Sequence, residues 1–73
     1  MQRVVIQTSY ITLGQFLKKI GVAQTGGEVK HLLSDQQVKV DRIVEDRRGR
    51  KLYPGANVEI RNTGSWIIVT EEE

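Results

Sequence analysis

The sequence of 73 residues contains no cysteine, one histidine, one proline, one tryptophan, one phenylalanine and two tyrosines. Without cysteine it can form neither a disulfide bond nor a cysteine-ligated zinc site. His31 alone cannot supply a catalytic triad, and the sequence has no nucleophile–base pair, metal-ligand cluster or Walker-type loop. We therefore predict no catalytic residues, no metal, no cofactor and no small-molecule substrate. The N-terminal apolar run, residues 4–6, is too short for a signal peptide or a membrane span, so we expect a cytoplasmic protein without membrane contact.

A chain this short buries a thin core, so one domain is predicted. Its net charge of +2 hides an uneven distribution, because three of its nine acidic residues form the tail at 71–73. Residues 1–70 carry 11 basic side chains against 6 acidic ones, and six of the basic residues lie between Lys39 and Lys51. This asymmetry favours a polyanionic partner, with a solvated charged face as the alternative.

Two short helices are predicted by capping signals and apolar periodicity. Thr12 and Gln15 have capping-box spacing, and Gly21 is suited to end the helix that follows. Thr25 and Glu28 repeat the capping-box spacing at the start of a second helix, which is expected to end near Ser34. The apolar faces consist of Leu13, Phe16, Leu17 and Ile20 in the first helix and Val29, Leu32 and Leu33 in the second.

Short strands separated by turns are predicted for the other segments. Alternating or β-branched residues indicate strands at 3–7, 38–40, 58–61 and 66–70, and the last strand could pair with the first. Asp41-Arg42 is expected to form a tight turn, and Tyr53–Ala56 suits a type II turn with proline at its second position and glycine at its third. Tyr53 and Trp66 could stack on nucleic-acid bases, but with only four aromatic residues in the chain we expect both to pack in the core.

The order of these elements resembles the S4 RNA-binding domain over residues 11–60. The residues that carry the resemblance are Leu13, Phe16, Leu17, Thr25, Val29, Leu32, Leu33, the Val38–Arg42 segment and the Gly55–Ile60 segment. Residues 47–55, together with 12–17 and 25–27, look like the stand-alone YaaA-type S4 proteins of bacteria. The resemblance implies an α+β, S4-like fold, with two short helices on a small, mostly antiparallel sheet, in a single domain spanning residues 1–73.

The resemblance also implies a function, namely non-catalytic binding of structured RNA. Ribosomal RNA and ribosome-assembly intermediates are the candidate partners, and a monomer is favoured. The phosphate contacts are expected in the basic loop, residues 47–51, and at the start of the second helix. The predicted RNA-binding residues are Thr25, Gly26, Gly27, Lys30, Arg47, Arg48, Arg50 and Lys51.

The chemistry of phosphate binding supports these positions. Free N–H groups and the helix dipole at Gly26 and Gly27 favour an anion, and arginine side chains can grip several phosphate oxygens. The S4 family usually has an arginine where this chain has Gly26, and we expect the basic loop to compensate. The loop is polar, so its side chains should add little to stability. Lys18 and Lys19 are expected to lie off the main site.

Two other functions remain open at this stage. A protein-interaction module could recruit a partner through an exposed sheet edge. An accessory protein that binds duplex DNA would use similar phosphate contacts, because such contacts do not distinguish DNA from RNA.

Overall fold

The computed structural model describes residues 1–71, and this part of the chain has the predicted α+β architecture. Neither helix is long and apolar enough to cross a membrane. The helices are α1 (Leu13–Lys19) and α2 (Gly26–Ser34); the strands are β1 (Gln2–Ile6), β2 (Ile11–Thr12), β3 (Val38–Val40), β4 (Ile43–Val44), β5 (Lys51–Leu52), β6 (Asn57–Ile60) and β7 (Gly64–Thr70). The two predicted helices and the four predicted strands are confirmed, and their observed ends differ from the predicted ones by at most two residues.

Both helices begin at the predicted threonine caps. The Thr12 hydroxyl accepts the Gln15 N–H at 3.3 Å, and the Gln15 side chain accepts the Thr12 N–H at 3.0 Å, which completes the capping box. The Thr25 hydroxyl accepts the Glu28 N–H at 3.1 Å. The Glu28 carboxylate, however, reaches one residue further back than a capping box requires and accepts the N–H of Gln24 at 2.5 Å.

The strands form a five-stranded sheet of order β1-β7-β6-β3-β4 and a separate antiparallel pair, β2-β5. The first strand does pair with the last, and the two run parallel, with Val4 opposite Ile68. The other neighbouring strands in the large sheet are antiparallel. The prediction of a mostly antiparallel sheet is therefore confirmed.

Two turns form where the sequence predicts them. Asp41 and Arg42 both have positive φ, 51° and 74°, as a two-residue type I′ hairpin turn requires. Asp41 is held there by Asn57, whose carbonyl accepts its N–H at 2.8 Å and whose N–H donates to its side chain at 3.0 Å. In the Tyr53–Ala56 turn, the first carbonyl accepts the last N–H at 3.0 Å, and Gly55 has a φ of 99°.

The core lies between the helices and one face of the large sheet. Phe16 and Trp66 meet edge to face, with ring centroids 6.1 Å apart. Trp66 is buried as predicted, whereas the same prediction for Tyr53 is wrong because that side chain is 53% exposed. The buried apolar residues are Val4, Ile6, Leu13, Phe16, Leu17, Ala23, Val29, Leu33, Val38, Val40, Leu52, Val58, Ile60, Trp66 and Ile68.

Candidate nucleic-acid interface

The basic loop lies against the first turn of α1. The Arg48 carbonyl accepts the Gly14 N–H at 2.9 Å, and the Arg50 carbonyl accepts the Leu13 N–H at 2.8 Å. A Cβ at position 14 would lie 3.4 Å from the Arg48 carbonyl oxygen, which is van der Waals contact, so the loop packs directly on this turn of the helix. The loop carbonyls thereby satisfy two helix-start N–H groups that have no partner within the helix, and this fixes the loop backbone.

Glu45, two residues before the start of the loop, contacts two of its arginines. This carboxylate is buried, with 6% of the residue exposed. One oxygen accepts the N–H groups of Asp46 and Arg47 and the Nε of Arg47, at 2.9 to 3.1 Å. The other oxygen accepts Arg47 Nη2 at 3.0 Å and Arg50 Nη1 at 2.6 Å.

These contacts change the ionisation of Glu45. The Arg47 hydrogen bond is the largest cause that lowers the pKa of this carboxyl to about 2; burial acts in the opposite direction, and Arg50 lowers it further. The same pairing raises the pKa of Arg47. Arg47 and Arg50 thus neutralise a buried charge, so for these two side chains we now expect a contribution to stability that the sequence analysis did not.

Arg48 is directed elsewhere, towards the start of α2. Its Nη1 lies 3.7 Å from the position that a Cβ on Gly26 would occupy. The guanidinium thus lies beside the glycine that stands where the S4 family usually has an arginine. Arg48 contributes to an open depression, here called the α2 groove, which is lined by Gly26, Gly27, Lys30, Leu33, Ser34, Asp46 and Arg48.

The α2 groove has the features of an anion site with one opposing charge. Lys30 and Arg48 are exposed cations, and Gly26 and Gly27 begin a helix of nine residues, where the dipole favours negative charge. The carboxylate of Asp46 also lines the groove and opposes an anion. Thr25, which precedes α2, was also predicted to bind RNA, but its hydroxyl caps this helix.

Lys18 belongs to this surface, which the sequence analysis did not expect. It lines a second groove that shares Gly26 and Arg48 with the α2 groove. Lys18 therefore lies next to the candidate anion site, whereas the sequence analysis expected it to lie off the main site. The available signal was its spacing: Lys18 lies four residues after Gly14, so both fall on one face of α1.

The remaining predicted residues lie on the other side of the loop. Arg47, Arg50 and Lys51 line a separate depression with Tyr53 and Gly49. Gly49 also lines the groove that contains Lys18, so it stands between the two basic surfaces. Gly14 and Glu45 were not predicted as site residues. Their importance depends on contacts with the loop that only the folded chain reveals.

Comparisons with known proteins agree with this architecture. A family model described as "S4 domain" matches residues 4–69, which extends beyond the 11–60 segment on both sides and includes most of β1 and β7. The "Probable ribosome maturation protein RlbA" of Bacillus subtilis (strain 168) is 52% identical over 64 residues, which make up 88% of this chain and 90% of that protein. The chain therefore belongs to the S4 domain family.

Proposed function

We propose that this protein is a non-catalytic RNA-binding module that holds the phosphate backbone of structured RNA in the α2 groove. A single domain over residues 1–73 would form the whole module. Lys30 and Arg48 supply the charge for the phosphates in this groove, Lys18 adds charge in the adjoining groove, and Gly26 and Gly27 allow the backbone to approach closely. Thr25 acts by capping the helix, and Arg47 and Arg50 act mainly by holding the loop to Glu45.

The observation that carries this proposal is the placement of the Arg48 guanidinium beside Gly26. These residues are 22 positions apart, and the groove they share contains two exposed cations, Lys30 and Arg48, against one carboxylate residue, Asp46. Two neighbouring cations repel each other, and a phosphate between them would relieve that repulsion. The surface is thus arranged for an anion with several oxygens.

Membership of the S4 domain family and the name of the Bacillus relative support RNA as the polyanion. That relative is described as a ribosome maturation protein. We propose that this chain likewise contacts ribosomal RNA or a ribosome-assembly intermediate in the cytoplasm. Crosslinking in cells, followed by sequencing of the attached RNA, tests this part. Enrichment of ribosomal RNA or its precursors is expected, and enrichment of unrelated transcripts would contradict it.

Phosphate binding is tested by titrating a labelled RNA hairpin with the protein at several salt concentrations. Each phosphate contact contributes about −0.7 to −0.9 to the slope of log affinity against log salt, so Lys18, Lys30 and Arg48 predict a slope of about −2 to −3. Arg48→Ala should flatten the slope by roughly one unit and weaken binding about four- to sixfold at 0.15 M salt.

Arg61→Ala is the matched control, because it removes the same charge from a groove lined by residues of β3, β4, β6 and β7. If both variants lose affinity equally, net charge rather than the α2 groove drives binding. A slope near zero would instead favour a protein-interaction module. A DNA hairpin of the same sequence that bound equally well would favour the duplex-DNA alternative.

A further inference from the structure

The two tyrosines form an exposed aromatic cluster beside the basic loop. Tyr10 and Tyr53 are 37% and 53% exposed, and their ring centroids lie 5.8 Å apart at an interplanar angle of 52°. The other two aromatic residues of the sequence, Phe16 and Trp66, are buried in the core. Half of the aromatic side chains in this small domain therefore lie at the surface. Because they are partly exposed, they contribute less to folding than buried aromatic side chains do.

Strand pairing places the two tyrosines together. β2 and β5 pair with Ile11 opposite Leu52, and the same register puts Tyr10 opposite Tyr53. Leu52 is fully buried, so the alternation along β5 turns Tyr53 outward. The cluster is thus held by backbone pairing and does not depend on its own burial.

Cations surround this cluster. Lys51 Nζ lies 4.9 Å from the centroid of the Tyr10 ring, within the range of a cation–π contact. Tyr53 lines the same depression as Lys51, Arg47 and Arg50. The Arg47 side chain is 71% exposed even though its guanidinium is paired with Glu45. An aromatic surface with adjacent cations can accept both parts of a nucleotide, the base by stacking and the phosphate by charge.

Gly49 connects this depression to the phosphate-binding side of the loop. It lines both the depression with Tyr53 and the groove with Lys18 and Arg48. A Cβ on Gly49 would meet no atom within 4 Å, so the space above it is open. A nucleic acid strand held by Arg48 could therefore cross the loop at Gly49 without obstruction and reach Tyr53.

We propose that Tyr53, supported by Tyr10 and Lys51, is a stacking site for an unpaired nucleotide next to the RNA segment held in the α2 groove. This inference rests on the proposed function and specifies its ligand: structured RNA that carries an unpaired base beside a helix. Bases within an A-form helix are already stacked on their neighbours, so only an unpaired base can lie on the tyrosine. The phosphate of that nucleotide is bound by Lys51.

The test uses three labelled RNA hairpins: one blunt, one with a short single-stranded extension that contains 2-aminopurine, and one with an abasic extension of equal length. Stacking on an aromatic ring quenches 2-aminopurine fluorescence. With the parent protein we expect quenching and an affinity about five- to a hundredfold higher for the base-containing extension than for the abasic one. Tyr53→Ala should abolish both effects without altering the affinity for the blunt hairpin.

Two further variants separate stacking from general packing. Tyr53→Phe keeps the ring and should retain the quenching. Tyr53→Leu keeps apolar bulk and should lose it, and this variant also serves if the alanine variant unfolds. Equal loss of affinity for all three hairpins, or unchanged quenching in Tyr53→Leu, would overturn the stacking site.

Arg48→Ala distinguishes failure of this inference from failure of the proposed function. It should weaken binding of all three hairpins alike. If it does so while the Tyr53 variants behave like the parent, only the stacking site is wrong. If Arg48→Ala has no effect on the blunt hairpin, the phosphate site is wrong, and the 2-aminopurine signal alone then decides whether Tyr53 contacts a base.

Discussion

Replacing Glu45 with glutamine tests whether a buried carboxylate holds the basic loop in place. Glutamine has nearly the same shape and keeps one carbonyl acceptor, but it removes the negative charge from the two guanidinium partners. Glu45 accepts hydrogen bonds from Arg47 and Arg50 and from two backbone N–H groups. The substitution should therefore destabilise the fold, although the residue lies outside the apolar core.

The pKa of Glu45 gives the expected size of the loss. Lowering it from 4.5 to about 2 corresponds to about 3 kcal/mol of differential stabilisation of the charged form. Solvent screens part of this, because the Arg47 side chain is 71% exposed. We expect Glu45→Gln to lower the free energy of unfolding by about 1–2 kcal/mol, which shifts Tm by roughly 5–15 °C in a domain of this size.

The loss should depend on pH in a defined direction. Because the pKa of Glu45 is lower in the folded state, its stabilisation is fully present above pH 4.5 and is lost as pH falls through about 2. Thermal melting of parent and variant should thus differ by a constant amount at neutral pH. The difference should shrink between pH 4.5 and 2, while the other carboxyl groups titrate equally in both proteins.

Two further variants show whether the effect acts through the arginines. Arg50→Ala should also lower Tm, and its combination with Glu45→Gln should lower Tm by less than the sum of the two, because both remove one interaction. Arg48→Ala should melt like the parent and combine additively with Glu45→Gln. The reasoning fails if Glu45→Gln melts within about a degree of the parent, or if the difference between them persists undiminished at pH 2.

The α2 groove and the adjoining groove that contains Lys18 lead to two further predictions for hairpin affinity, which fluorescence anisotropy can measure. Lys18→Ala should weaken binding about fourfold at 0.15 M salt while Lys19→Ala leaves it nearly unchanged; equal losses would remove Lys18 from the site. Asp46→Asn should strengthen binding roughly twofold, because a carboxylate about 8 Å from a phosphate in water opposes it by about 0.5 kcal/mol. Glu59→Gln, which removes the same charge from the groove that contains Arg61, is the control for Asp46→Asn, and an equal gain in both would point to net charge.

The helices, turns and apolar faces could be predicted because their signals are local. The Thr12 cap and the Tyr53–Ala56 turn depend on residues three positions apart, and both form as predicted. The parallel direction of β1 and β7 could not be predicted, because it depends on the path of the whole chain between them.

The same contrast between local signals and contacts between distant segments applies to the candidate site. The sequence alone shows that positive charge is concentrated in the basic loop. It does not show that the three arginines of this loop have different roles. Arg47 and Arg50 turn to Glu45, whereas Arg48 turns to Gly26. Tyr53 was likewise predicted to lie in the core because it is aromatic. The register of β5 against β2 instead turns its side chain towards solvent.

The sequence by itself thus determined the elements, their inward faces and the sign of the surface charge, because capping, periodicity and turn chemistry act over a few residues. Only the tertiary structure decided which cations meet at the α2 groove and which neutralise a buried carboxylate. Gly26 and Arg48 are far apart in the chain, and they are brought together where backbone hydrogen bonds hold the loop on the first turn of α1. A side chain's role in such a loop follows from the partners that surround it, and those partners are set by packing between distant segments.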